Sequence, residues 1–172
     1  MLNGRLFISP KVQNTTERIP RLLAHELSHL HFEQRLGLIG YAWKIPSWFK
    51  EGLAVVVSGG GGAESVSPPE ARAAIAAGKT FTPAASGRLL FERSGRSYGL
   101  SEHMWYRQSA LLVEFLQAKD PAAFRQLVEK LESGDRFAPT IASCYHADLA
   151  ALVREFRAGI ADANATEPRK SR

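Results

Sequence analysis

Four prolines, Pro20, Pro46, Pro68 and Pro121, each stand at the head of a stretch that reads as a helix. Proline has no amide hydrogen and its ring fixes φ, so it fits a helix only in the first turn, where no hydrogen bond is lost. A chain punctuated in this way is a succession of helices. After Pro20, the residues Leu22, Leu23, Leu27, Leu30 and Phe32 recur at helical spacing, which predicts a helix over 17–36 that stops at Gly37. Residues 38–45 read as a connector. Pro46 opens a largely apolar helix over 47–57, containing Trp48, Phe49, Leu53, Ala54 and Val56, and a run of four glycines at 59–62 ends that helix. Short helices are expected over 68–77 and 83–93. Residues 102–119 are strongly amphipathic, with Trp105, Leu111, Leu112, Phe115 and Leu116 facing inward. Asp120-Pro121 restarts the chain as a helix to 131, and 148–160 is the last helix. The stretch 4–9, Gly-Arg-Leu-Phe-Ile-Ser closed by Pro10, is β-like. The expectation is a mainly α (α+β) fold: one domain over 1–161 with a small N-terminal β element, then a polar, basic tail over 162–172.

A chain of 172 residues, 45% hydrophobic and 23% charged, can bury a core without disulfides, and its single cysteine, Cys144, has no partner within the chain. The net charge of +5 is partly terminal, in Arg169, Lys170 and Arg172. No dense basic stripe with interleaved aromatics occurs, which argues against nucleic acid as a partner. No apolar run approaches the ~20 residues of a membrane helix. Residues 1–10 lack the apolar core of a secretion signal, so the default compartment is the cytoplasm. Gly78-Lys79-Thr80 ends like a phosphate-binding loop, but Ala73 occupies the position of the required earlier glycine.

The chemistry is concentrated in His25-Glu26-Leu27-Ser28-His29. Residues four apart share one helix face, so two imidazoles there can converge on one ion. Glu26 lies about 100° further round the helix, where it reaches water activated by the metal without ligating the metal itself. The plainer alternative is a helix that happens to hold two histidines and a glutamate. Against it, the flanking residues are apolar, and polar groups on such a face are costly unless paired or ligated. A catalytic zinc needs a third protein ligand and one open position. Glu51, an acid within the apolar second helix, is the candidate; its alternative is an exposed acid beside Lys50. Gly52 next to it permits close approach to another backbone. His31 and His146 read as surface or structural residues, and Trp43, Trp48 and Trp105 as core.

His-Glu-Leu-Ser-His followed by Pro-Ser-Trp-Phe-Lys-Glu-Gly-Leu-Ala, residues 46–54, resembles the gluzincin zinc metallopeptidases, in particular the peptidase MA-like domain family. The resemblance implies a zincin-like helical domain that hydrolyses peptide bonds in a peptide or protein substrate. It implies Zn2+ bound by His25, His29 and Glu51, with Glu26 as general base. Related aminopeptidases use a tyrosine for the oxyanion, and Tyr106 is the best candidate here, with plain packing as its alternative and His103 and Tyr98 nearby. The family usually has several strands before the zinc helix, where this sequence has one. The thermolysin-like branch has an aspartate four residues after the glutamate ligand. Valine stands there, at position 55, and leaves the outer support of the ligands unassigned. Two further readings stay open: a non-catalytic zinc-binding scaffold or interaction module derived from a metallopeptidase, and a metallohydrolase acting on another amide.

Overall fold

The computed structural model describes residues 18–88 and 93–166. They form seven α-helices: α1 (Ile19–Lys44), α2 (Ser47–Val57), α3 (Pro68–Ala76), α4 (Glu102–Lys119), α5 (Pro121–Glu132), α6 (Phe137–Tyr145) and α7 (Leu149–Thr166), with a 3-10 turn at Gly95–Tyr98. No strand occurs among the described residues, and the expected β-like run at 4–9 lies outside them. The described part is therefore all-α. None of its helices is long and apolar enough to cross a membrane.

Helix α2 is the centre of the packing. It is apolar almost all round, and a helix of that kind must be enclosed. Trp48, Phe49, Gly52, Leu53, Ala54 and Val55 are all buried. The rings of Trp48 and Phe49 meet Phe137 of α6 at centroid distances of 5.6 and 5.0 Å. Trp48 Nε1 satisfies its one donor on the Ala84 carbonyl at 2.9 Å. Burial of each such side chain contributes roughly 1.5–3 kcal/mol. At Gly52 the helix lies flat against α4, where a Cβ would stand 2.6 Å from the Ser109 carbonyl oxygen. Absence of that atom lets the two helices close to backbone contact, as the sequence suggested.

Local chemistry defines the helix starts. Ser67 and Glu70 form a reciprocal capping box at α3. Ser101 accepts from the Met104 amide at α4, and Asp120 from those of Ala122 and Ala123 at α5. Each cap satisfies amide donors that the helix itself leaves open.

Several expectations are corrected. Residues 38–44 are helical, not a connector: the chain breaks at Gly37 (φ 67°, ψ 162°) and resumes its helix. Residues 83–88 and Arg93 are not helical, and 89–92 lie outside the described residues. Helix α6 has no counterpart among the helices expected from sequence. It combines an early proline with β-branched Thr140 and Ile141, a composition of low intrinsic preference. Burial of Phe137, Ile141, Cys144 and Tyr145 holds it instead. Trp43 is 48% exposed and is not a core residue, unlike Trp48 and Trp105. The polar end expected from Asp162 remains helical through Thr166.

Candidate metal centre

His25 and His29 lie one turn apart on α1, and Glu51 comes to them from α2. The two Nε2 atoms are 3.1 Å apart. Glu51 Oε2 is 3.4 Å from His25 Nε2 and 3.5 Å from His29 Nε2. His25 is buried, and the other two are half-buried. Oε2 itself is buried yet accepts no hydrogen bond from the protein. Buried carboxylate oxygens are ordinarily satisfied. Three donor atoms therefore converge on one point, and the carboxylate oxygen among them has no hydrogen-bond partner.

That arrangement fits a metal ion. Bonds of about 2.0–2.1 Å in tetrahedral geometry put neighbouring donors about 3.3 Å apart. The three separations scatter closely around that figure. Among the described residues these three side chains are the one group of its kind that could hold a metal. A two-imidazole, one-carboxylate set suits zinc and several other divalent ions.

The outer nitrogens orient the rings. His25 Nδ1 lies 3.0 Å from the Gly61 carbonyl, which can only accept. Its proton is therefore on Nδ1, and the neutral ring presents a bare Nε2 to the centre. The loop carrying Gly61 is tied down by Arg107 of α4, whose guanidinium donates to the carbonyls of Ala63 and Val66 at 3.1 and 2.8 Å. His29 Nδ1 lies 2.7 Å from the hydroxyl of Tyr41.

The electrostatics favour positive charge at this point. Burial alone would raise the Glu51 carboxyl, but the two imidazoles facing it hold it down at about 2. Burial likewise opposes a charge on His25, yet the Glu51 carboxylate, aided by the charge of Glu26 and the Gly61 carbonyl, raises its affinity for a proton. Glu26 is half-buried and close enough for its charge to be felt at His25.

The structure thus brings His25, His29 and Glu51 together and sets Glu26 beside them. The ring of Tyr106, from α4, lies beside His25 with centroids 6.1 Å apart. Tyr98 donates instead to the Thr82 carbonyl, and His103 accepts from the Ser65 amide. His31 points away and pairs with Glu132 at 2.9 Å. His146 is exposed in a left-handed cap at the end of α6. Sequence reasoning missed Tyr41, Gly61 and Arg107. The run of glycines at 59–62 was a usable signal, because a backbone without side chains can lie against a ring. Tyr41 carried no such signal.

No family model, no curated protein and no solved structure matches this chain.

Proposed function

We propose that this chain is a zinc-dependent peptidase of the gluzincin type, with His25, His29 and Glu51 holding the metal and Glu26 acting as general base. The observation that carries the proposal is the convergence of two imidazole nitrogens and a buried, unsatisfied carboxylate oxygen, with a second carboxylate one residue from the first histidine. The likeness of 25–29 and 46–54 to the zincin motifs supports the choice of metal and of reaction. Bound there, zinc supplies Lewis acidity, which acidifies water and polarises an amide carbonyl.

The remaining roles belong to the protein. Glu26 takes the proton from the attacking water and delivers it to the leaving amine nitrogen, so one carboxylate serves as base and then as acid. It is suited to this because the spacing places it off the ligand face of α1. Tyr106 offers a phenol beside His25 that can donate to the developing oxyanion. Gly61 and Arg107 hold His25 in the ligating tautomer, and the buried packing of α2 fixes Glu51.

The test has two parts. Elemental analysis of protein purified without added metal should find about one zinc per chain in wild type, and less in Glu51→Ala. Against a broad peptide library, wild type should cleave, and Glu26→Gln should lose at least about 100-fold while keeping its metal. Undiminished cleavage by Glu26→Gln would remove the assigned mechanism. Metal without any turnover would favour the scaffold reading.

A further inference from the structure

His29 and Tyr41 are twelve residues apart, on opposite sides of the break in α1 at Gly37, and the hydroxyl lies 2.7 Å from the imidazole Nδ1. Along a straight helix, twelve residues span about 18 Å. The contact exists because the helix breaks at Gly37. There φ is 67° and ψ 162°, a combination open essentially to glycine alone. The break redirects residues 38–44 so that Tyr41 meets the ring that precedes it in the chain.

A second contact holds the tyrosine. Lys50 Nζ stands 4.5 Å from the centroid of the Tyr41 ring. Lys50 is buried, and it directly precedes Glu51 on α2. A cation over an aromatic face is attractive, more so when shielded from water. Two adjacent residues of α2 therefore serve the same centre: one reaches it as a donor, and the other grips the side chain that faces the second histidine.

We infer that Tyr41 is a positioning residue, whose hydroxyl fixes the tautomer and ring orientation of His29 as a metal ligand. The inference rests on the metal-site reading above. With Nε2 directed at the metal, the single ring proton sits on Nδ1 and is donated to the Tyr41 oxygen. A phenol in this role is a weaker acceptor than a carboxylate, so it orients the ring without adding negative charge near the centre.

The experiment is a zinc titration of the full chain in competition with a chromophoric chelator, for wild type and Tyr41→Phe. The phenylalanine keeps the ring beneath Lys50 and removes only the oxygen. Its zinc affinity should fall by about 10–100-fold, with the helical circular dichroism unchanged. Cobalt-substituted protein should show altered ligand-field bands in the variant, a change that a purely structural role for the hydroxyl would not produce. Equal affinity and identical bands would overturn the inference and leave the metal site standing. Failure of wild type to bind zinc at all would overturn the site, and this inference with it. Should Tyr41→Phe not fold, the zinc-loaded wild type decides alone through its imidazole nitrogen spectrum. His29 should then show a protonated, slowly exchanging Nδ1; a metal-bound Nδ1 overturns the proposal.

Discussion

The centre is built from side chains whose charges oppose their own burial, and this gives it a definite response to acid. The raised proton affinity of His25 makes a proton the metal's competitor for Nε2. A ligand whose pKa is raised is protonated below that value and bare above it. Metal affinity should therefore climb with pH up to the raised His25 value and level off beyond it. Glu51, held at about 2, stays ionised throughout that range and adds nothing to the slope. Below the His25 value, zinc affinity should drop by up to about tenfold per pH unit for each histidine proton that the metal must displace. Titration calorimetry in buffers of different ionisation enthalpy should find proton release that is largest on the acid side and vanishes toward alkaline pH. Release independent of pH would show that another group is displaced.

At the scale of the helices, α2 carries the positioning load through its contact with α4. Gly52 touches the Ser109 backbone with no room for a methyl group. Gly52→Ala must push the two helices apart, and overpacking of this kind costs about 1–3 kcal/mol. Chemical denaturation should show that loss with an unchanged slope. Because Glu51 is the neighbouring residue, the same substitution should weaken zinc binding although no ligand is touched. A fully stable Gly52→Ala would mean that the helices can separate without cost.

The elements also show how far the sequence could be read. Proline at a helix start and glycine past a helix end are local signals, so α2 and α5 were legible almost to the residue, while α4 was legible from its amphipathic pattern and the Asp120-Pro121 that follows it. The break at Gly37 was legible as well, but its direction was not: nothing in the local sequence states where a left-handed residue sends the chain. For that reason the three donors were readable from spacing and chemistry, while Tyr41 was not. Helix α6 shows the opposite failure, since its existence depends on aromatic partners in α2 and not on its own residues.

For the whole molecule, an ion held by His25, His29 and Glu51 would link α1 to α2, and α2 in turn packs on α4 and α6. Anything that binds the folded chain alone raises its stability, by about 2.7 kcal/mol at a free concentration 100 times the dissociation constant. Zinc should accordingly raise the melting temperature, with a strong chelator reversing the gain, as scanning calorimetry would record. Glu51→Ala should melt at the same temperature with and without zinc. A zinc-dependent rise that survives in Glu51→Ala would place the ion elsewhere.

Gly52 has one more consequence, which concerns the order in which a ribosome releases the chain. The donors span only residues 25–51, whereas α4, the surface on which Gly52 rests, begins at Glu102. During synthesis His25, His29 and Glu51 all leave the exit tunnel before their backing exists. Trp48 and Phe49 are then exposed on a nascent α2 with neither α4 nor Phe137 to cover them, the situation in which growing chains are most prone to stick to chaperones and to one another. Maturation of the centre thus waits on the C-terminal half of the molecule, although none of its three converging donors comes from there.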